Sequence, residues 1–354
     1  MKIFLKSFYH YIIKGKIFIK FCIIFKLQFI MVIYLYFTTY KNENIKKNNL
    51  GDFRLSKNYQ ENNSLLTLLD YDNYTFAIIR DACYFCGLIS FYIHYLGCIS
   101  TFLSKGYIPI IDLSFPNIIN GFNSSLYNKN PWELFFNQPL GFSLMNVINK
   151  AKKIKYFNCI VPYSIYEIHD IYKNKASLDF YHNLSIKYLS IKNEIIKEAN
   201  NIRKKLFNNS NNILGVLARG TDYIALRPKS HPIPPTVDDI FLDIETLNKT
   251  YNYDFIFLTT EDDIIRDKFK NKFGSKLKIF NVNKNITYNY KAKEYLCYNK
   301  NINGNLNYNK VYLINIIILS KCTDIISAKT GGAIGTFILS NGFRNNKIYN
   351  LGYY

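Results

Sequence analysis

Acidic residues are scarce in this sequence. Its 25 Asp and Glu stand against 45 Lys and Arg, so the formal net charge of the 354-residue chain is +20. A basic surface of this kind attracts nucleic acid, anionic lipid or nucleotide phosphates. Because the sequence has no DNA- or RNA-binding motif, and no dense Lys/Arg patch beyond its N-terminal segment, we expect no nucleic-acid partner. Apolar residues make up 49% of the chain, which excludes global disorder.

Two common phosphate-binding signatures are missing as well. No G-x-x-x-x-G-K-[ST] loop occurs, which argues against a P-loop NTPase, and no G-x-G-x-x-G follows the first predicted strand, which argues against a dinucleotide-dependent dehydrogenase. The seven cysteines include one C-x-x-C pair, Cys83 and Cys86, without a second pair or histidines at matching spacing. We therefore expect no metal and no cofactor.

The first 40 residues contain no acidic side chain but include six lysines. The almost wholly apolar run Leu27–Phe37 is about half as long as a bilayer span requires. Extending it back to Ile17 reaches that length only by including Lys20 and Lys26, at a cost of a few kcal/mol. Two interpretations remain: an interfacial helix on an anionic membrane, or a single-pass anchor with its Lys-rich end in the cytoplasm. We expect membrane association at the cytoplasmic face, followed by a polar linker over residues 41–70.

From residue 71 onward, strand patterns alternate with helical ones, which is typical of α/β domains with parallel sheets. A polar break after residue 207 predicts two domains, residues 71–207 and 208–354. The predicted strands are Thr75–Arg80, Ile108–Leu113, Ile160–Pro162, Ile213–Ala218, Asp254–Thr260, Leu277–Val282, Asp324–Ala328 and Lys347–Asn350. The predicted helices are Leu88–Lys105, Leu184–Phe207, a helix capped by Thr236, Ile264–Phe273, Val311–Lys321 and Ala333–Asn341, with a surface excursion over Asn283–Asn309.

Polar side chains and glycines follow three of these strands. The segments are Arg219–Asp222, Thr259–Asp262 and Thr330–Gly332. Since the carboxyl ends of parallel strands meet at one sheet edge, where α/β proteins bind ligands, we expect the segments to lie together. Arginine suits a phosphate, carboxylates accept from a ribose or base, and a helix start supplies N–H groups. The predicted nucleotide diphosphate site comprises Arg219, Gly220, Asp222, Thr260, Glu261, Asp262, Thr330, Gly331 and Gly332. In the alternative, Arg219 and Asp222 form only an ion pair that pins a turn.

These segments carry a resemblance to a known family. Arg219-Gly-Thr-Asp222 after an apolar strand resembles the H-x-R-R-x-D peptide of the fucosyltransferase superfamily that includes α-1,6-fucosyltransferases, nodulation fucosyltransferases and protein O-fucosyltransferases. Thr259-Thr-Glu-Asp262 is similar to its A-T-D-D segment, and Leu319–Gly332 is similar to its third motif. The first strand–helix–strand unit and the segment around Trp132 resemble bacterial surface-polysaccharide members.

The resemblance covers roughly residues 71–354. It implies a GT-B-like α/β fold, in which two Rossmann-like domains face a ligand cleft, the first for the acceptor and the second for the nucleotide sugar. It also implies a GDP-sugar donor, with GDP-fucose expected, a glycan or polysaccharide acceptor, inversion at the anomeric carbon, and no metal.

The chain departs from the family at two points. Gly220 stands where the family has one of two paired arginines, and residues 223–230 contain no match for a carboxylate that some members use in catalysis. Inverting transfer needs a base near the acceptor hydroxyl. His231 and, more weakly, Asp222 are the candidates for this base. In the alternative, His231, which lies beside prolines, bonds only a backbone carbonyl.

Two other functions remain open. The missing carboxylate is compatible with a nucleotide-sugar-binding protein that has no catalytic activity. The basic N-terminal segment, taken alone, is compatible with a membrane-associated interaction protein. The aromatic cluster around Trp132 is typical of a core, and stacking on an acceptor sugar is the alternative.

Overall fold

A computed structural model describes residues 71–81, 87–114, 130–159, 170–280, 290 and 306–354. The basic N-terminal segment, the linker and the C-x-x-C pair lie outside these residues. Within the described part of the chain, no helix has the length and hydropathy needed to cross a bilayer. The same residues contain no group of His, Cys, Asp or Glu arranged to hold a metal ion.

The first half forms a three-stranded sheet with flanking helices. Its elements are β1 (Phe76–Asp81), α1 (Leu88–Ser104), β2 (Ile108–Asp112), a 3-10 turn (Pro131–Leu134), a second 3-10 turn (Pro139–Gly141), α2 (Leu144–Lys150), β3 (Ile154–Cys159), a third 3-10 turn (Ile171–Lys173), α3 (Lys175–Tyr188) and α4 (Asn193–Phe207). The strands are parallel and lie in the order β2-β1-β3. The unit β1–α1–β2 confirms the first predicted strand–helix–strand arrangement.

The second half forms a five-stranded sheet. Its elements are β4 (Ile213–Leu217), α5 (Thr221–Leu226), α6 (Val237–Tyr251), β5 (Phe255–Thr259), α7 (Asp263–Phe273), a 3-10 turn (Gly274–Lys276), β6 (Leu277–Lys278), α8 (Leu306–Leu319), β7 (Asp324–Ala328), α9 (Gly331–Ser340) and β8 (Asn345–Tyr349). All pairings are parallel, in the order β6-β5-β4-β7-β8. The strand order therefore reverses between β4 and β7, and α/β sheets bind ligands at such a switch point.

Two parallel sheets with helices against them confirm the predicted α/β class. The central strands β4 and β7 are buried along their whole length. The unbroken apolar sequence of β4 predicts this burial, whereas β7 also buries the polar side chains of Asp324 and Ser327. Helix α9 of the second half packs against α1 and α3 of the first, and α4 packs against α8. One buried apolar cluster runs through these helices. The packing holds the start of α9 beside the start of α1.

The single helix predicted over Leu184–Phe207 is wrong. Two helices, α3 and α4, are separated by residues 189–192. In this break Ile191 forms an antiparallel bridge with Phe136, and the Lys192 N–H donates to the Phe135 carbonyl. Both helices bury an apolar face in the same core, so the apolar spacing continues through a break that tertiary pairing creates.

Other boundaries also differ from the prediction. The strand β3 was not predicted, and the strand expected over Ile160–Pro162 lies outside the described residues. Of the strand predicted over Leu277–Val282, residues 281 and 282 lie outside the described residues, and among the other four only the two residues of β6 form a strand. Helix α8 begins at Leu306, inside the segment predicted to be a surface excursion. Of the rest of that excursion, only residue 290 is described.

The cluster around Trp132 belongs to the core. The Trp132 side chain has no exposed surface, stacks on Phe136 at 4.3 Å between ring centroids, and meets Tyr95 edge-on at 5.2 Å. No face of this indole is open to a sugar, so the core interpretation of this segment is confirmed and the stacking interpretation is wrong.

Candidate functional site

The carboxyl ends of β4 and β5 bring one arginine against two carboxylates. Nη2 of Arg219 donates to Asp222 Oδ1 at 2.9 Å, and Nε lies 3.2 Å from Glu261 Oε1. Burial disfavours the charged guanidinium, but the charges of Glu261 and Asp222 outweigh burial and raise the pKa of Arg219. The side chain is 25% exposed, and Nη1 makes no hydrogen bond within the described residues. Arg219 is thus a fixed cation with donors still available to a ligand.

The ion pair named as the alternative for Arg219 and Asp222 is present. Asp222 also accepts a hydrogen bond from the Thr221 hydroxyl at 3.1 Å, and its side chain is almost fully buried. These contacts hold Asp222 as the partner of Arg219. They leave it poorly placed to remove a proton from an acceptor.

Gly220 is required here because the carboxylate of Asp262 occupies the space beside its α-carbon. A Cβ at this position would lie 2.1 Å from Asp262 Oδ2 and 2.7 Å from Cγ. Asp262 Oδ2 also accepts hydrogen bonds from the Thr221 N–H at 3.0 Å and from the Tyr290 hydroxyl, while Oδ1 caps α7. Position 220 therefore has no room for a side chain.

Asp262 has little capacity left for a ligand. Its Oδ1 accepts from the N–H groups of Ile264 at 2.9 Å and Ile265 at 3.2 Å, and the residue is 1% exposed. The hydroxyl of Thr260 accepts from the Asp262 N–H at 3.1 Å. Of the three predicted contact residues at this strand end, Glu261 faces the arginine, whereas Thr260 and Asp262 build the turn.

Thr221 holds a strained backbone at the centre of the site. Its φ is +46°, in the left-handed region that a β-branched residue rarely adopts. The residue is fully buried, and its hydroxyl lies 3.1 Å from oxygens of both Asp222 and Glu261. Strain of this kind costs about 1–3 kcal/mol and persists where surrounding contacts enforce it, commonly at ligand sites.

The third predicted segment begins α9 beside the switch point. The Thr330 hydroxyl caps the helix by accepting from the Ala333 N–H at 3.3 Å, and the Ile334 N–H donates to the Thr330 carbonyl. The N–H groups of Gly331 and Gly332 are left at the helix start without a partner in the described residues. Gly332 lies against Leu217 of β4, and Gly331 lies against Ser90 of α1. The three predicted segments therefore meet at one edge of the sheet.

A second cation lies at the end of β7. Lys329 is 9% exposed, and its Nζ is 3.0 Å from Asp170 Oδ1 in the first half of the chain. Burial is the largest single influence and lowers the pKa of Lys329, but the hydrogen bond to Asp170 and the charges of Tyr353, Asp170 and Tyr172 together outweigh it. The pKa is therefore raised and the ammonium stays charged. Lys329 was not predicted as a site residue, although it directly precedes the predicted Thr330 segment.

His231 contacts Tyr223, and Tyr223 in turn contacts Arg219. The guanidinium of Arg219 lies 4.6 Å above the Tyr223 ring, and the His231 ring meets the same tyrosine edge-on at 5.1 Å. Nδ1 of His231 lies 3.1 Å from the Lys229 carbonyl, which is the backbone bond named as the alternative. Because a carbonyl only accepts, Nδ1 carries the proton in this contact and the lone pair is on Nε2. The backbone bond fixes a tautomer and leaves Nε2 able to act as a base.

Tyrosines that the sequence analysis missed line the same edge. Tyr223 lies in the first turn of α5, and Tyr308 and Tyr312 lie one turn apart on α8. Their helical spacing places Tyr308 and Tyr312 on one face, but that signal was hidden because the segment before residue 311 was predicted to be irregular. The site thus combines a fixed guanidinium, backbone N–H donors, phenol hydroxyls and a histidine, a set of groups suited to a phosphorylated ligand.

Comparisons with known proteins give structural similarities only. No family model matches the chain, and a search of curated proteins finds no match. The chain is similar to the NodZ α-1,6-fucosyltransferase soaked with GDP-fucose, with a TM-score of 0.47, 11% identity, and coverage of 78% of this chain and 96% of that one. It is also similar to POFUT1 in complex with GDP, with a TM-score of 0.43, 8% identity, and coverage of 79% and 100%.

A third similarity is to a mutant of Arabidopsis thaliana FUT1 in complex with GDP, with a TM-score of 0.41, 9% identity, and coverage of 79% and 72%. At such identities these similarities concern the course of the chain and not its activity.

Proposed function

We propose that this chain is a glycosyltransferase that takes a GDP-sugar, with GDP-fucose the expected donor, and transfers the sugar to a glycan or polysaccharide with inversion and without a metal. The proposal is supported by the sequence resemblance to the fucosyltransferase superfamily. The observation that carries it is the convergence of Arg219 and the start of α9 on the switch point of the second sheet.

The chemistry expected at this point is stabilisation of a leaving diphosphate. Arg219 offers Nη1 to a phosphate oxygen, and the N–H groups of Gly331 and Gly332 offer two more donors at the positive end of a helix. Lys329 adds charge at the end of β7. These groups would take the role that a metal has in other enzymes, which supports a metal-independent mechanism.

Inverting transfer also needs a base that removes the proton of the acceptor hydroxyl. We assign this role to His231, because in the neutral imidazole Nε2 carries the lone pair when Nδ1 donates to the Lys229 carbonyl. Asp222 is the weaker candidate because Arg219 and Thr221 already engage it. A nucleotide-sugar-binding protein without catalysis is the alternative, and turnover separates the two.

The test is hydrolysis and transfer of GDP-fucose by the purified protein in EDTA, together with GDP binding measured by calorimetry. Arg219→Ala should weaken GDP binding by about 10- to 150-fold, because a charge-assisted phosphate hydrogen bond is worth about 1.5–3 kcal/mol. Arg219→Lys should lose less GDP affinity than Arg219→Ala, because it keeps the positive charge beside Asp222 but not the planar guanidinium.

Arg266→Ala is the control, because Arg266 also pairs with an aspartate three residues away but lies on α7. Unchanged GDP affinity in Arg219→Ala, or turnover that EDTA abolishes and Mg²⁺ or Mn²⁺ restores, would contradict the proposal.

A further inference from the structure

The hydroxyl of Tyr312 lies at the junction of the two elements that flank the switch point. A Cβ built on Gly332 would be 2.8 Å from this oxygen and 3.1 Å from Leu217 Cδ2. Leu217 is the last residue of β4, and Gly332 is in the first turn of α9. The phenol oxygen therefore lies against the glycine whose N–H is one of the two donors left at this helix start.

Charged groups of the site also affect the pKa of the Tyr312 hydroxyl. Burial raises the pKa of Tyr312 most, the nearby Arg219 lowers it, and Glu261 raises it, with a net increase. Tyr308, one turn earlier, also has a raised pKa because of burial and Glu261. The Tyr312 phenol therefore stays protonated near neutral pH and keeps an O–H donor in the field of the Arg219 guanidinium.

Position 220, next to Arg219, cannot carry a second basic side chain, because Asp262 fills the space beside the Gly220 α-carbon. Glu261 and Asp222 already engage part of that arginine. A diphosphate at this edge thus needs donors from another element. The start of α9 supplies two N–H groups, and α8, which packs against both β4 and α9, supplies the Tyr312 hydroxyl.

We propose that Tyr312 is a donor-binding residue whose hydroxyl donates a hydrogen bond to the diphosphate of the nucleotide, beside Arg219 and the Gly332 N–H. The inference rests on the proposed function, since it assigns a further contact in the same site. It also gives a reason for Gly332, because an added methyl group would push the hydroxyl out of this position.

The experiment compares Tyr312→Phe with the full-length wild-type protein. Calorimetry measures affinity for GDP, and ligand-observed NMR measures affinity for guanosine, which lacks phosphate. Tyr312→Phe keeps the ring and removes only the hydroxyl, so the fold should persist by circular dichroism. We expect at least about a tenfold loss of GDP affinity, the value of a hydrogen bond to a charged group, with guanosine unchanged.

Two further variants sharpen the result. Gly332→Ala should weaken GDP binding in the same direction by displacing the hydroxyl. Tyr156→Phe is the control, because this tyrosine is 53% exposed on the first sheet, and it should bind GDP like wild type.

The outcomes separate the two proposals. Wild-type GDP affinity in Tyr312→Phe, or an equal loss of GDP and guanosine affinity, overturns the role of Tyr312 and leaves the proposed function standing. Failure of the wild-type protein itself to bind GDP overturns both.

Discussion

Replacing Gly220 by alanine tests how the site is built. The new methyl group would overlap the Asp262 carboxylate, whose Oδ2 is 2.1 Å and whose Cβ is 2.8 Å from the Cβ position. The carboxylate must move, and it would then lose the Thr221 N–H and the cap of α7. Overpacking costs about 1–3 kcal/mol and a lost cap about 0.5–2 kcal/mol, so we expect a destabilisation of about 2–4 kcal/mol.

The assay is urea unfolding followed by circular dichroism, with GDP binding measured on the same samples. Gly87→Ala is the control, because no atom of the described residues lies within 4 Å of its Cβ position. Gly87 is the N-cap of α1, where alanine is less favourable than glycine, so we expect this control to cost up to about 1 kcal/mol, less than Gly220→Ala.

A second substitution identifies the atoms responsible. Asp262→Gly removes all three crowding atoms, and glycine at a helix N-cap costs only about a few tenths of a kcal/mol relative to Asp. The double variant with Gly220→Ala should therefore be less destabilised than the two single effects predict together. Wild-type stability in Gly220→Ala, or simple additivity in the double variant, would refute the reasoning.

Two further predictions concern stability and attachment. The fully buried Asp324 carboxylate accepts from the Asn345 N–H at 2.7 Å and pairs with the half-exposed Arg344. Asp324→Ala leaves the Asn345 N–H without this partner but Arg344 open to water, so it should cost about 1–3 kcal/mol in urea unfolding at pH 7. Burial raises the pKa of Asp324, but the hydrogen bonds from Arg344 and Tyr253 outweigh burial, so the pKa is lowered. The stabilisation that Asp324 provides is therefore present above the unfolded pKa of about 3.9 and is lost as the pH falls below that value. An Asp324→Asn variant with the same acid sensitivity as wild type would contradict this. Deletion of residues 1–40 should release the protein from anionic vesicles in a flotation assay while GDP binding persists. Release of the full chain by high salt would indicate surface attachment, a requirement for detergent would indicate a span, and a truncated protein that no longer binds GDP would show that the segment belongs to the fold.

Much of the second sheet could be predicted because the local sequence of each strand indicates where the strand begins and ends. The strand β7 has the predicted bounds Asp324–Ala328, and Thr236 caps α6 with the capping box that its sequence allows. Buried parallel strands are apolar along their length and end in turn residues, so position and direction both follow from local sequence. Parallel order then brought Arg219, Glu261 and Thr330 to one edge, as expected.

The sequence by itself determined which chemical groups the strand ends carry, and the tertiary structure decided what each group does. Asp262 and Glu261 are adjacent carboxylates, yet Asp262 accepts the hydrogen bonds that cap α7, whereas Glu261 faces Arg219. Tyr312 contacts Gly332 only because α8 packs over the switch point, and the break between α3 and α4 exists only because Ile191 pairs with Phe136. These features depend on contacts between residues far apart in the chain, which spacing and composition do not encode.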